Sequence, residues 1–146
     1  MTDTLSATAV AERLVTAFAS GDLRAVMAEL AEDFVMEMPA APPGAERVIR
    51  GRAEIAALVG HVSTTWKGVE LTRFAAHSLV DDPDRVLAEY ALVGTNLDDS
   101  TYRNEYTSLI TVRDGKATRF VEFFDPDPIV VALDALRAHL RTVSTG

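Results

Sequence analysis

The hydrophobic positions in the first part of the chain recur at the three- and four-residue spacing of amphipathic helices. One apolar side runs from Ser6 to Ala19 and Gly21 follows it, so the pattern predicts a first helix over this range. Asp22 is a suitable N-cap for a short second helix. The buried side of that second helix would consist of Leu23, Val26, Met27 and Leu30.

A strand and a third helix are predicted on either side of a proline-rich loop. The segment from Phe34 to Met38 has the composition of a strand, and Pro39 ends it. The loop from Ala40 to Gly44 contains prolines and a glycine that prevent regular structure, and such loops often border binding sites. A third helix follows Gly51 and ends near residues 63–65. Its apolar side would be Ile55, Leu58, Val59 and Val62.

The second half of the chain has the composition of strands. Two such runs extend from Val69 to Val80 and from Arg85 to Leu97, with a turn of aspartates and a proline between them. Two more flank Asp114 and Gly115, a pair that favours a hairpin turn because glycine accepts a positive φ.

A last helix is predicted beyond this hairpin, with Asp125 or Asp127 as its cap and Pro128 in its first turn. Its apolar side would be Ile129, Leu133, Leu136 and Leu140. The order is three helices with a short strand between the second and third, then four long antiparallel strands, then a helix. Helices grouped on one side of a curved antiparallel sheet form an α+β fold with a cone-shaped pocket between the layers.

Two registers are possible for the last hairpin. If Asp114 and Gly115 alone form the loop, apolar and charged residues mix on both faces. If Arg113 joins the loop and Gly115 forms a left-handed bulge, Tyr106 falls opposite Glu122 and the faces separate, so the pattern favours this register. The predicted inner face then holds Tyr102, Asn104, Tyr106, Ser108, Ile110, Phe120, Glu122 and Phe124.

Glu122 is the one charged residue on this predicted inner face. The preceding strand would place Tyr90 on the same face, beside Ser108. A carboxylate held among aromatic rings loses solvation, which raises its pKa and lets it give or take a proton near neutral pH. Glu122 is therefore predicted to be a general acid/base. The alternatives are that it is paired with Tyr106 or an arginine, or that it faces water in another register.

Composition narrows the class of function. A chain of 146 residues with 48% hydrophobic and 25% charged residues predicts one globular domain over residues 1–146. A formal charge of -8 argues against nucleic acid or an anionic membrane as the partner. The chain has no cysteine, which excludes thiol chemistry. Neither a basic segment followed by an apolar run nor a run long enough to span a bilayer is present, so a cytoplasmic protein is expected.

Several sequence segments resemble the nuclear transport factor 2-like superfamily over nearly the whole chain. They are SGD at residues 20–22, EMP at 37–39 followed by RGRAEI at 50–55, and YRNEY, DGK and FVEFFDP in the last hairpin, which are the most specific. The superfamily includes ketosteroid isomerase, limonene epoxide hydrolase, the SnoaL-like polyketide cyclases and the phenazine biosynthesis A/B proteins. The resemblance implies a cone-shaped, cystatin-like fold, a homodimer and a small apolar ligand inside the cone.

The resemblance favours some of the reactions of these relatives and disfavours others. Ketosteroid isomerase would need an aspartate, a tyrosine and a proton donor where this chain has Met38, Leu14 and Ser108, so that activity is disfavoured. Limonene epoxide hydrolase would need an arginine and an aspartate where Tyr90 and Leu92 stand, so epoxide hydrolysis is disfavoured too. The cyclases and the phenazine proteins use a carboxylate on the last strand, and Glu122 is similar to it in position.

The sequence supports a role in the site less directly for the remaining candidate residues. Glu37 could form a second carboxylate at the pocket mouth, or be an exposed rim acid. His61 could reach the cavity from near the end of the third helix, and Trp66 is either a lid or core aromatic or a residue that stacks on a ligand. The inner-face residues Tyr90, Asn104, Tyr106, Ser108, Phe120 and Phe124 could contact or orient a ligand. No histidine pair has metal-ligand spacing, so neither a metal nor any other cofactor is expected.

Two functions of different kinds fit the sequence. The first is an isomerase- or cyclase-type enzyme that moves a proton on a small apolar or aromatic carbonyl compound, with Glu122 as acid/base and Tyr106 and Asn104 orienting the oxygen. The second is a non-catalytic module of the same fold that binds a hydrophobic ligand or a protein. In either case the outer sheet face, which mixes Leu109, Val121 and Phe123 with both charge signs, is predicted to form a homodimer.

Overall fold

Four helices and one curved six-stranded sheet make up residues 6–144, the part of the chain that the computed structural model describes. The elements are α1 (Ala7–Ser20), α2 (Leu23–Glu29), β1 (Leu30–Glu37), β2 (Val48–Arg50), α3 (Gly51–Thr65), β3 (Trp66–Ser78), β4 (Arg85–Asn96), β5 (Thr101–Arg113), β6 (Lys116–Phe124) and α4 (Pro126–Ser144). The α+β class predicted from the sequence is confirmed.

Helix α1 ends and helix α2 begins at the residues that the sequence indicated. Asp22 caps α2, because its Oδ1 accepts a hydrogen bond from the backbone N–H of Ala25 at 3.1 Å. Gly21 ends α1 in the left-handed region with φ 69°, a conformation that glycine adopts without steric cost. The apolar side predicted for α2 was wrong at its two ends, since Leu23 is 43% exposed and Leu30 already belongs to β1.

The sheet has the order β2-β1-β6-β5-β4-β3. The four long strands are antiparallel, as predicted, but β1 runs parallel to β6 and begins at Leu30, four residues before Phe34. The edge strand β2 was not predicted, because three residues are too few to display a strand period.

The register predicted for the β5–β6 hairpin was wrong. Asp114 and Gly115 alone form the turn, with φ values of 52° and 76° at the two central positions, as in a type I′ turn. The bulge lies three residues further on, at Thr118, rather than at Gly115. Beyond it Ser108 pairs with Glu122. In the β4–β5 pair, Tyr90 lies opposite Tyr106 rather than Ser108.

Both strand pairs are shifted by two residues from the prediction, and this leaves the faces unchanged because side chains alternate with a period of two. Ile110 and Phe120 are buried on the inner face, where α1 packs with Val10 and Leu14. Helix α4 covers the other end of the cone through Ala132 and Ala135. Its last two turns are exposed, including Leu140, which was expected on the apolar side.

Candidate functional site

A cavity of about 610 Å³ lies between the inner face of the sheet and helices α1, α3 and α4. Most of its wall is apolar, with Val15 and Phe18 from α1, Met36 from β1 and Leu133 from α4 among the lining side chains. Its size is in the range that holds drug-sized molecules. The polar part of the wall comes chiefly from β4, β5 and β6, where three tyrosines and Glu122 meet.

Glu122 is held in this wall by a hydroxyl chain. The phenol of Tyr90 donates a hydrogen bond to Glu122 Oε2 at 2.5 Å, and the same phenol oxygen lies 2.9 Å from Ser108 Oγ. Tyr90 is 2% exposed and Ser108 is fully buried, whereas Glu122 keeps some accessible surface where it lines the cavity. One carboxylate oxygen is therefore fixed by the protein, and the side chain remains within reach of a ligand.

Burial raises the pKa of Glu122 to about 7, and the hydrogen bond from Tyr90 opposes this rise. Burial and the neighbouring Glu122 carboxylate raise the pKa of Tyr90 well above its ordinary value. Tyr90 thus stays a neutral donor at physiological pH, while Glu122 changes its protonation state there. A carboxyl group that titrates near neutral pH suits proton transfer in both directions.

A second hydroxyl pair stands beside the first. The ring of Tyr106 stacks on the ring of Tyr90, with centroids 5.0 Å apart and planes within 3°. Its hydroxyl is hydrogen-bonded to the hydroxyl of Tyr102, which also accepts from Asn104 Nδ2 at 3.1 Å. Burial raises the pKa of Tyr102 to about 12 and also raises that of Tyr106, so both remain phenols.

Most of the residues predicted for the site line the cavity together. They are His61, Trp66, Tyr90, Tyr106, Phe120, Glu122 and Phe124. Asn104 and Ser108 do not line it. The amide of Asn104 binds the backbone of Asp125 in both directions, at 2.8 and 3.1 Å, and so fixes the end of β6 against β5. Ser108 lies behind Tyr90.

The hypothesis of a second carboxylate at Glu37 was wrong. Met36 points into the cavity, and strand alternation therefore turns Glu37 to the outer face, where its Oε2 pairs with Arg119 Nη2 at 2.7 Å. Four further polar residues of the lining were not predicted for the site: Tyr102, Thr65, Glu46 and Glu54. Alternation already placed Tyr102 on the inner face, whereas Glu46 lies in a loop and Glu54 in the first turn of α3, where no strand period applies.

Two further properties concern residues 6–144 as a group. They contain no cluster of three or more histidine or carboxylate side chains arranged to hold a metal ion. Within the same range, none of the helices combines the length and hydropathy that crossing a membrane requires.

Solved structures of other proteins have the same fold as this chain. A Bacillus subtilis candidate isomerase superposes with a TM-score of 0.78 at 23% identity, over 88% of this chain and 93% of that one. A candidate polyketide cyclase from Pseudomonas putida KT2440 gives 0.71 at 23% identity, over 88% and 98%. A nuclear transport factor 2-like protein from Burkholderia xenovorans LB400 gives 0.70 at 23% identity, over 88% and 98%. The cone fold that the resemblance implied is thereby confirmed.

Comparison at the sequence level places the family. The Bacillus subtilis protein YesE, which is uncharacterised, is 31% identical over 98 residues, or 65% of each chain, so the match spans just under two thirds of that relative. The model of the SnoaL-like domain matches residues 11–120, more than half of this chain. The chain therefore belongs to the SnoaL-like domain family of the nuclear transport factor 2-like superfamily.

Proposed function

We propose that this protein is an isomerase or cyclase that moves a proton on a small, largely apolar carbonyl compound, with Glu122 as the general acid/base and no cofactor. The observation that carries the proposal is the position of Glu122, a carboxyl group with a pKa of about 7 in the wall of a largely apolar cavity. The structural neighbours described as a candidate isomerase and a candidate polyketide cyclase share the fold and are consistent with this chemistry.

The two oxygens of Glu122 suit different tasks. Oε2 accepts the phenol proton of Tyr90, which holds the carboxylate plane in place. Oε1 accepts no hydrogen bond from any residue between 6 and 144, so this oxygen is free to take a proton from a carbon next to a ligand carbonyl. The same oxygen would return the proton to another carbon of the enolate, which completes an isomerisation. In a cyclisation the enolate carbon would first attack a second carbonyl carbon of the ligand, and the resulting alkoxide would take the proton. The Tyr102–Tyr106 pair would donate its free hydroxyl proton to the carbonyl oxygen as that oxygen gains charge.

The proposal is tested by proton exchange on a simple ketone. We expect the protein to catalyse exchange of the α-hydrogens of 2-tetralone with D₂O, followed by proton NMR. The E122Q variant should lose about 10²- to 10⁴-fold of this rate, since glutamine cannot accept the proton. E12Q is the matched control, because Glu12 is exposed on α1. Equal exchange by E122Q and the unmodified protein would remove Glu122 from the reaction.

The alternative is a module that binds the same ligand without reacting with it. Calorimetric binding of the ketone in the absence of any accelerated exchange would favour that function over catalysis.

We also propose that two copies of the chain associate through the outer sheet face. Phe123 is 43% exposed there, and the partly buried Leu109 and Val121 lie on the same face. The Arg119–Glu37 ion pair borders this apolar patch. Aromatic and arginine side chains around an apolar centre are typical of protein–protein interfaces.

A further inference from the structure

The charged side chains in the cavity wall are nearly all acidic. Glu46, Glu54 and Glu122 line the cavity, and within residues 6–144 no lysine or arginine lies among the lining residues. Glu122 is in the inner wall, whereas Glu46 and Glu54 are exposed at the rim. His61, which is also exposed, is the one basic side chain of the lining.

Two arginines that are close in sequence to the rim residues Glu46 and Glu54 bind backbone carbonyl groups. Arg52 Nη1 donates to the carbonyls of Met27 and Leu30, at 3.0 Å each. Arg47 Nη2 lies 3.5 Å from the carbonyl oxygen of Ala41. A negatively charged ligand in this cavity would therefore lose its hydration and meet carboxylates rather than cations, which is strongly unfavourable.

The hydrogen-bond donors of the inner wall can be counted. Tyr90 gives its proton to Glu122, and Thr65 Oγ1 donates to the carbonyl of His61 at 2.8 Å. The Tyr102–Tyr106 pair has two hydroxyl protons, and only one of them can lie between the two oxygens. The other proton has no acceptor within residues 6–144.

One spare phenol donor matches one carbonyl oxygen. A carboxylate has two oxygens with about four acceptor sites and would remain largely unsatisfied here. The indole N–H of Trp66 also lacks an acceptor, but it is enclosed by protein and does not reach the cavity surface. The donor count and the charge of the lining thus point to the same kind of ligand.

On the basis of the proposed function, we infer that the cavity takes an uncharged ligand bound through a single carbonyl oxygen at the Tyr102–Tyr106 pair. This inference narrows the class of substrate. Ketones, esters, lactones and amides of aromatic or alicyclic compounds meet this requirement. Free carboxylic acids and phosphates do not, because they are anions at neutral pH. A substrate that carries an acid group must have it masked before it enters this site.

The inference is tested with two probes of nearly the same shape, 2-acetylnaphthalene and 2-naphthoate. Isothermal titration calorimetry at about pH 8 and low salt should give a dissociation constant at least about tenfold lower for the ketone. The E46K variant should narrow this ratio by strengthening 2-naphthoate binding alone. E12K changes the net charge equally but lies outside the cavity, so it should leave the ratio unchanged.

Two results would overturn the inference: 2-naphthoate binding as tightly as the ketone, and no binding of the ketone up to its solubility. Because both probes report binding without any reaction, equal affinities leave the role of Glu122 intact. Conversely, if the protein does not catalyse the exchange reaction, the tenfold ratio of the two dissociation constants remains a testable property of the cavity.

Discussion

At the scale of single residues, Glu122 makes stability depend on pH between its unfolded and folded pKa values. Its folded-state pKa of about 7 lies above the ordinary 4.5, so the native state binds more protons than the unfolded state between these values. Stability therefore falls as pH rises through this window and stays lower above it. The cause is the cost of ionising a carboxyl group in an apolar wall.

We expect E122Q to remove this pH dependence. Relative to that of the unmodified protein, the free energy of unfolding of E122Q should increase by about 2–3 kcal/mol, in the stabilising direction, between pH 4 and pH 8.5. Urea denaturation at several pH values measures this difference. The E12Q control should follow the unmodified protein, and a constant offset between E122Q and the unmodified protein would contradict the raised pKa.

The Tyr102–Tyr106 pair should respond to substitution in a non-additive way. Y102F or Y106F alone leaves one hydroxyl proton available for a ligand oxygen, whereas the double variant leaves none. We expect each single variant to retain most of the exchange rate and the double variant to lose about 10²-fold or more. Rates from the 2-tetralone assay, with thermal unfolding as a check of folding, decide this. Effects that simply multiply would show that the two hydroxyls act independently.

At the scale of elements, alternation predicts which face a residue occupies better than it predicts register. The β5–β6 and β4–β5 pairs both differ from their predicted registers by two residues, and a shift of two returns every side chain to the same face. Glu122 was therefore identified correctly as an inner-face residue although its partner was wrong. Pro39 left too short a strand to decide the side on which Glu37 lies.

Other elements could not be predicted from local pattern at all. The parallel pairing of β1 with β6 depends on how the whole chain folds back on itself. The two-residue turn at Asp114 mixes apolar and charged residues on both faces unless a bulge follows it, so the sequence pattern disfavours it. The structure has such a bulge, and nothing in the local sequence marks it. Glu46 and Glu54 reach the cavity from a loop and a helix start, where residue spacing carries no information about direction.

The hairpin turn itself gives a test of local strain. Gly115 has φ 76° and no neighbouring atom within 4 Å of a Cβ built on it, so G115A meets backbone strain but no clash. We expect a loss of about 1–2 kcal/mol in unfolding free energy. D114N is the matched control and should be nearly neutral, since asparagine tolerates the left-handed conformation of residue 114. Equal stability of G115A and the unmodified protein would contradict the type I′ turn.

At the scale of the whole molecule, the two faces of the sheet have separate roles in this account. The inner face forms the cavity, and the outer face carries the proposed interface around Phe123. The formal charge of -8 keeps association from being driven by charge attraction between copies, so apolar contact must supply most of the stability.

A charged residue at Phe123 should therefore separate the two copies. Light scattering coupled to size-exclusion chromatography should give the mass of two chains for the unmodified protein and of one chain for F123D. Val80 is 99% exposed in the turn between β3 and β4, so V80D is the matched apolar-to-acid control and should remain a dimer. A single-chain mass for the unmodified protein at micromolar concentration would contradict the proposed interface.

A measurement of the pKa of Glu122 is the most direct test of its proposed role as the general acid/base. Carbon-13 NMR of protein labelled at the glutamate side-chain carboxyl, with the Glu122 signal assigned by its absence in E122Q, follows this one titration. We expect a titration midpoint of about 7, because burial in the cavity wall disfavours the carboxylate. A midpoint at the ordinary value of 4.5 would show that Glu122 is solvated like a surface acid, and would leave the cavity without its acid/base.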